Sequence, residues 1–246
     1  MSTNSITLKL EIGALLTVIY ALLSLLSQQF QLLPGVVGLG AMYMLPIVYG
    51  LLFGRTGAFA CALGGVFADV ASGAFSPLSL GGFLGAYTAA LLPYRIWQGM
   101  RSEREENFIL GTPRTNIMFL VLAFTAAVPP ALVLPLFADR FGLAPYTLAF
   151  SRTALTSVAF SLLGGFILYK YFSPRFLEGK NHDLWLQIKD VKTSTRPLSV
   201  ALLRLTFTAM FLGLGFWAMM EPTMGQEVIM YPMGGLALVI LLLVNW

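Results

Sequence analysis

The sequence has one cysteine, Cys61, and one histidine, His182. A single thiol excludes an internal disulfide and a multi-cysteine metal site, and with one imidazole a His/Cys metal cluster is excluded too. Charge is scarce: only 11% of residues are Asp, Glu, Lys or Arg, and no basic run is available to hold nucleic acid. Nucleophile–base arrangements, phosphate-cradling glycine loops and paired carboxylates within apolar runs are missing, so no enzyme is expected. The opening MSTNSITLKLE leads into an apolar run without a small-residue cleavage site, which predicts that the first helix is retained. No internal repeat and no low-complexity tract is visible.

Apolar residues are what the chain has in excess. They make up 57% of it, with a mean hydropathy of +0.80, values outside the range of an ordinary soluble domain. Their run lengths predict helices over 10–28, 36–54, 56–73, 78–94, 115–137, 150–172, 198–219 and 228–245, each long enough at about 1.5 Å per residue to approach a hydrocarbon core of about 30 Å. The fold expected is therefore all-α and polytopic, with eight transmembrane helices. It divides into a six-helix membrane bundle over 1–179, and a cytoplasmic surface helix with a terminal two-helix hairpin over 180–246. Pro129, Pro130 and Pro135 predict a kink near the far end of the fifth span.

Orientation follows from the bases, since Lys and Arg flanking spans are retained in the cytoplasm. Lys9, Arg55, Arg95, Arg101, Arg104, Arg114, Lys170, Arg175, Lys180, Lys189, Lys192 and Arg196 fall on one side, and only Arg140 and Arg152 on the other. Both termini are expected to be cytoplasmic, in the inner membrane of the cell. Tyr94, Trp97, Tyr169 and Tyr171 are expected as anchors at headgroup depth. Between spans, 101–114 reads as a solvated loop with Thr112 capping the next helix. In 182–192, Leu184, Trp185, Ile188 and Val191 form one stripe against Asp183, Lys189, Asp190 and Lys192, which predicts a short helix on the inner membrane surface.

The candidate functional residues are the polar groups inside spans, because a charge at the bilayer centre costs about 2.5–3.5 kcal/mol and needs a partner. Asp69 and Arg152 both fall in the outer half. They are expected either to clasp helices 3 and 6 together or to form the polar end of an outward ligand cavity. Tyr43 with Met42 and Met44, Phe75 and Tyr146 are further candidates to line such a pocket, or else are core or interface belt. Arg204 is expected to snorkel to the inner surface, Cys61 to be a small core residue and His182 to be solvated. Gly50, Gly54 and Gly57, then Gly64 and Gly65, then Gly81, Gly82 and Gly85 mark close helix approaches. Gly13, Thr17 and Ala21 repeat at four-residue spacing, a face suited to a neighbouring helix of this chain or of a partner.

Between Gly35 and Trp97 the chain resembles the substrate-binding S components of energy-coupling factor (ECF) transporters. The matching residues are Pro46, Leu51-Leu52-Phe53-Gly54, Gly57, Gly64-Gly65, Asp69 and Phe83-Leu84-Gly85. The resemblance implies a six-helix bundle that captures a vitamin or similar micronutrient from outside and docks, partly through small residues of helix 1, onto a coupling subunit driven by separate ATPases. It would make Asp69, Arg152, Tyr43 and Tyr146 the ligand-binding groups and Gly13, Thr17 and Ala21 the docking face. Arg55 stands where the family often has Pro. Two further apolar runs follow the sixth, which opens an alternative: an accessory or scaffold subunit of a larger membrane complex, or a membrane sensor domain, without transport activity.

Overall fold

The computed structural model describes residues 3–29, 31–33, 37–38, 40–100 and 108–177. The elements expected over 180–246, including the surface helix, the terminal hairpin, His182 and Arg204, lie outside the described residues. What is described is helical apart from a two-stranded ribbon. Helix α1 covers Thr3–Gln29, strands β1 (Gln31–Leu33) and β2 (Val37–Gly38) pair antiparallel, and a 3-10 turn at Ala41–Met44 leads into α2 (Leu45–Ala71). Then come α3 (Pro77–Met100), α4 (Pro113–Arg140), α5 (Tyr146–Ala159), a π-turn (Phe160–Gly164) and α6 (Gly165–Leu177).

Four helical stretches are long and apolar enough to cross a membrane: Thr7–Gln29, Ala41–Ala71, Pro113–Arg140 and Tyr146–Leu177. Large apolar side chains stand exposed along them, among them Val18, Leu22, Phe59, Ile117, Leu155 and Ile167. Such a surface suits hydrocarbon, where the backbone is satisfied within helices and apolar side chains face lipid. The protein is an integral membrane protein.

Helix α2 is two arms joined at Gly54, whose φ of 58° and ψ of −127° leave the helical region. In a continuous helix Tyr49 and Gly57 would lie about 12 Å apart along the axis. Here a Cβ on Gly57 would run into the Tyr49 carbonyl oxygen, so the chain folds back on itself. The contacts to α1 agree. Ser24 meets Met42 of the 3-10 turn and the Leu16 carbonyl meets Tyr49 of the first arm, whereas Gly13 and Thr17 meet Thr56 and Gly64 of the second. The first arm therefore runs antiparallel to α1 and the second parallel to it.

The remaining contacts place the other helices. Gly50 and Gly54 meet Ala90 and Tyr94, setting α3 parallel to the first arm. Gly81 and Gly85 meet Phe137 and Pro130, setting α4 antiparallel to α3. Ser157 and Gly165 meet Ala127 and Phe119, returning α5 and α6 alongside α4. The first arm lies at the centre, with every residue from Leu45 to Gly54 buried. The bundle thus has a Gly54 end and an Asp69 end.

Several expectations need correction. The predicted start of the second span at 36 falls in the ribbon region, and helical structure begins at Ala41. Tyr94, Trp97 and Tyr169 are buried rather than anchored at headgroups: Tyr94 packs on Gly54, while Trp97 and Tyr169 pack on Phe108. Of the four, Tyr171 is exposed, with the Arg175 guanidinium 3.6 Å over its ring. The end of the 101–114 connection is not solvated throughout, since Phe108 is 1% exposed and accepts a 2.6 Å hydrogen bond from the Tyr169 hydroxyl at its carbonyl. Thr112 does cap α4, in a reciprocal box with Thr115. The three prolines lie inside one helix, α4, which continues past them to Arg140.

The Tyr169–Phe108 bond ties α6 to the strand of chain entering α4. Tyr169→Phe keeps the ring contacts and removes the donor, so we expect a loss of about 1 kcal/mol, the net worth of one such bond. A melting curve in detergent that superimposes on wild type would show the bond to be idle.

Candidate functional site

The sequence-predicted ligand residues gather at the Asp69 end without forming the expected clasp. Asp69, in the last turn of α2, is half-buried, and its carboxylate accepts a 3.2 Å hydrogen bond from Gln28 Nε2 of α1. That amide, and not Arg152, is its partner. Arg152 lies in the second turn of α5. Charge and depth alone suggested the pairing, but depth leaves the azimuth around the bundle open. Sequence reading missed Gln28; its signal was an amide at the end of an otherwise apolar helix.

Tyr43 is buried and belongs to the 3-10 turn that opens the central arm. Its carbonyl accepts a 2.9 Å bond from Ser161 Oγ, and its ring lies against Gly40, which also adjoins Thr156. Thr156 in turn donates to the Arg152 carbonyl one turn earlier. Tyr20 of α1, 2% exposed, lies within electrostatic reach of Asp69, Tyr43, Tyr49 and Cys61. Tyr43 and Thr156 thus meet at Gly40, and the Arg152 carbonyl lies one turn before Thr156.

Tyr146 stands apart from that group. It opens α5, its amide donates to Asp139 Oδ1 at 3.3 Å, and its ring stacks on Phe150 with centroids 5.7 Å apart. These contacts explain its burial as the corner between α4 and α5. Packing also accounts for Met42, bonded by Ser24 through its sulfur, and for Met44, laid on Gly164. Phe75 is 59% exposed in the turn after α2. Cys61 is fully buried. Among the described residues no group of three or more His, Cys, Asp or Glu side chains could hold a metal ion.

The small-residue face of α1 has a definite setting. Gly13, Thr17 and Ala21 lie in an apolar groove of about 690 Å³ between α1 and the second arm of α2, with Ala60 and Thr56 opposite. Leu10, Val18 and Leu22 raise one wall; Phe59, Leu63 and Phe67 raise the other. Lys9 stands at the Gly54 end of the groove.

The π-turn was not legible in the sequence either. It places Ser161 on Tyr43 and brings Gly164 and Gly165 against Met44 and Ile47, so the last rod is fitted to the central arm at that level. Such turns often occur at functional sites.

Comparison with family models, with curated proteins and with solved structures finds no match.

Proposed function

We propose that this protein is a small-molecule-binding membrane subunit of the ECF S-component type, taking up a vitamin or similar micronutrient with a coupling subunit and ATPases as partners. The observation that carries the reading is Asp69: a half-exposed carboxylate at one end of an apolar bundle, bonded to a neutral amide. A ligand entering at that end would meet the Asp69 carboxylate and the Gln28 amide bonded to it.

The direction of the helices supports the topology that this function needs. Counting the arms of α2 separately, the described residues traverse the bundle six times. Lys9, Arg55, Arg95, Arg114, Lys170 and Arg175 all gather toward the Gly54 end, and Arg140 and Arg152 toward the other. On the retention of bases, our reading sets the Gly54 end in the cytoplasm and the Asp69 end outward.

Asp69 is the residue to test. Its bond to Gln28 is exposed and joins a charge to a neutral amide, so Asp69→Asn should change stability by no more than about 0.5 kcal/mol. Ligand affinity should fall at least tenfold. Calorimetric titration or retention of the bound molecule on gentle extraction reads the second; a melting curve reads the first. Unchanged affinity with a lowered melting temperature would make Asp69 a structural residue and remove the main support for the reading.

A second reading, a scaffold or accessory subunit of a larger membrane complex, is favoured by the groove on α1, which offers a helix-sized face at the lipid boundary. Native mass spectrometry of protein extracted from its own membrane separates the two. A bound micronutrient with ATPase subunits supports transport, whereas a different membrane complex without a ligand supports the scaffold.

A further inference from the structure

The groove between α1 and the second arm of α2 is apolar along its length and charged at one end. It extends from Lys9 to Leu22, about 20 Å at 1.5 Å per residue. Thr17, on its floor, donates its hydroxyl to the Gly13 carbonyl at 2.7 Å, so this polar group is already satisfied within α1. Two cations stand at the Gly54 end. Lys9 precedes Gly13 by one turn and continues the floor, while Arg55, exposed beside Thr56, precedes Phe59 by four residues and continues the opposite wall. A Cβ on Gly13 would lie 3.4 Å from Thr56 Cγ2, so these two positions are level and both cations fall at the same mouth. Glu11, the one carboxylate of α1, is about 200° around the helix from Lys9.

We propose that this groove holds one acyl tail of an anionic phospholipid, with the headgroup phosphate at Lys9 and Arg55. The lengths agree. Half of a bilayer, counted through its headgroup layer, is about 20–22 Å, and the groove runs that far from Lys9 to Leu22. A phosphate at the mouth would accept charge-assisted hydrogen bonds from the ammonium and, in bidentate fashion, from the guanidinium. The Gly54 end is the one our reading sets in the cytoplasm, and the cytoplasmic leaflet is where anionic lipids give the membrane its negative surface potential.

Charge selects a lipid over a second copy of the chain. Two copies in one membrane share their orientation, and in a two-fold pair through this face equal heights meet, so the cations at one mouth would approach those at the other. Like charges oppose that pair, whereas one phosphate is drawn by both bases. The proposal rests on the groove and its two cations and not on transport. A partner helix that uses this face must displace the lipid.

The test is native mass spectrometry of the full chain, purified in neutral detergent and titrated with phosphatidylglycerol or with phosphatidylcholine of the same tails. Phosphatidylglycerol should be retained at least tenfold better. Each base near an anionic headgroup is worth about fivefold in affinity, so Lys9→Gln with Arg55→Gln should abolish the preference. Lys170→Gln with Arg175→Gln, two exposed bases of α6 at the same end of the bundle, should leave it intact. The tail is tested separately. Ala21→Phe fills the floor and should lower retention of phosphatidylglycerol at least fivefold, whereas Leu15→Phe, exposed and outside the groove, should not. In the wild-type chain a phosphatidylglycerol with a photoreactive tail should label residues 9–22 and 56–67. Equal retention of the two lipids would overturn the proposal, as would a preference that survives the loss of Lys9 and Arg55. So would label confined to other helices, or a groove that cross-links to a second copy or to another membrane protein in place of lipid.

Discussion

Gly54→Ala is expected to lower stability by about 3 kcal/mol or more, the largest effect of any single methyl group in this bundle. Two costs coincide there. The backbone has φ of 58° and ψ of −127°, a conformation outside the ordinary allowed regions for a residue with a Cβ, and such conformations cost about 1–3 kcal/mol each. The new methyl would also lie 2.9 Å from Cζ of Tyr94, a ring that is 2% exposed and held in the core. Relieving one problem aggravates the other, because turning the backbone back toward helix would straighten α2 and withdraw its two arms from α1. Tyr94→Ala in the same chain should recover only the part of the loss due to contact. The readout is the melting temperature and the half-life of monodisperse protein in detergent. A Gly54→Ala protein as stable as wild type would mean that the reversal lies elsewhere in the sequence.

Gly50→Leu is the second large effect, with a different cause. Gly50 is in ordinary helix, but a Cβ there would collide with the Ala90 carbonyl oxygen and lie close to the Ala90 carbonyl carbon and Cα. Those are backbone atoms and cannot rotate away as a flexible side chain would. The first arm and α3 would have to separate along their line of closest approach, opening the centre of the core. Overpacking typically costs about 1–3 kcal/mol and occasionally more, and a site with no yielding neighbour belongs at the upper end. Gly82→Ala supplies the control: its Cβ would meet Leu134 Cδ2 at 3.9 Å, ordinary contact, so stability should stay level or rise slightly. Equal losses at the two positions would show that helix approach does not determine the cost.

The two glycines also show what the sequence could and could not convey. Apolar run lengths placed the helices, and the four-residue turn around Arg55 was legible as a break because its glycines interrupt two runs of membrane length. Glycine at 50, 57, 64, 81 and 85 correctly marked close approaches, since only the absence of a Cβ permits them in a tightly packed bundle. The 3-10 turn at Ala41–Met44 and the π-turn at Phe160–Gly164 left no comparable mark. Both result from fitting the last rod to the central arm, a tertiary demand that composition does not record. Tyr94 and Trp97 resembled interface anchors because aromatic residues near a span end fit either role; here α3 continues to Met100 and encloses them. Asp69 was recognised as exceptional for its charge, yet its partner Gln28 was not, since a neutral amide at a helix end is too ordinary to stand out.

The π-turn also acts as a phase shift along the last rod. One extra residue in a turn rotates everything downstream by about 100° relative to an uninterrupted helix. Residues before Phe160 and residues after Gly164 therefore keep separate angular frames. Thr156 and Ser157 can answer to the wall formed by Gly40 and Ala127, while Gly165 and Tyr169 answer to Ile47 and Phe108. A single-phase helix would have to compromise between the two walls. Here each end of the rod is free to vary its contacts without re-aiming the other.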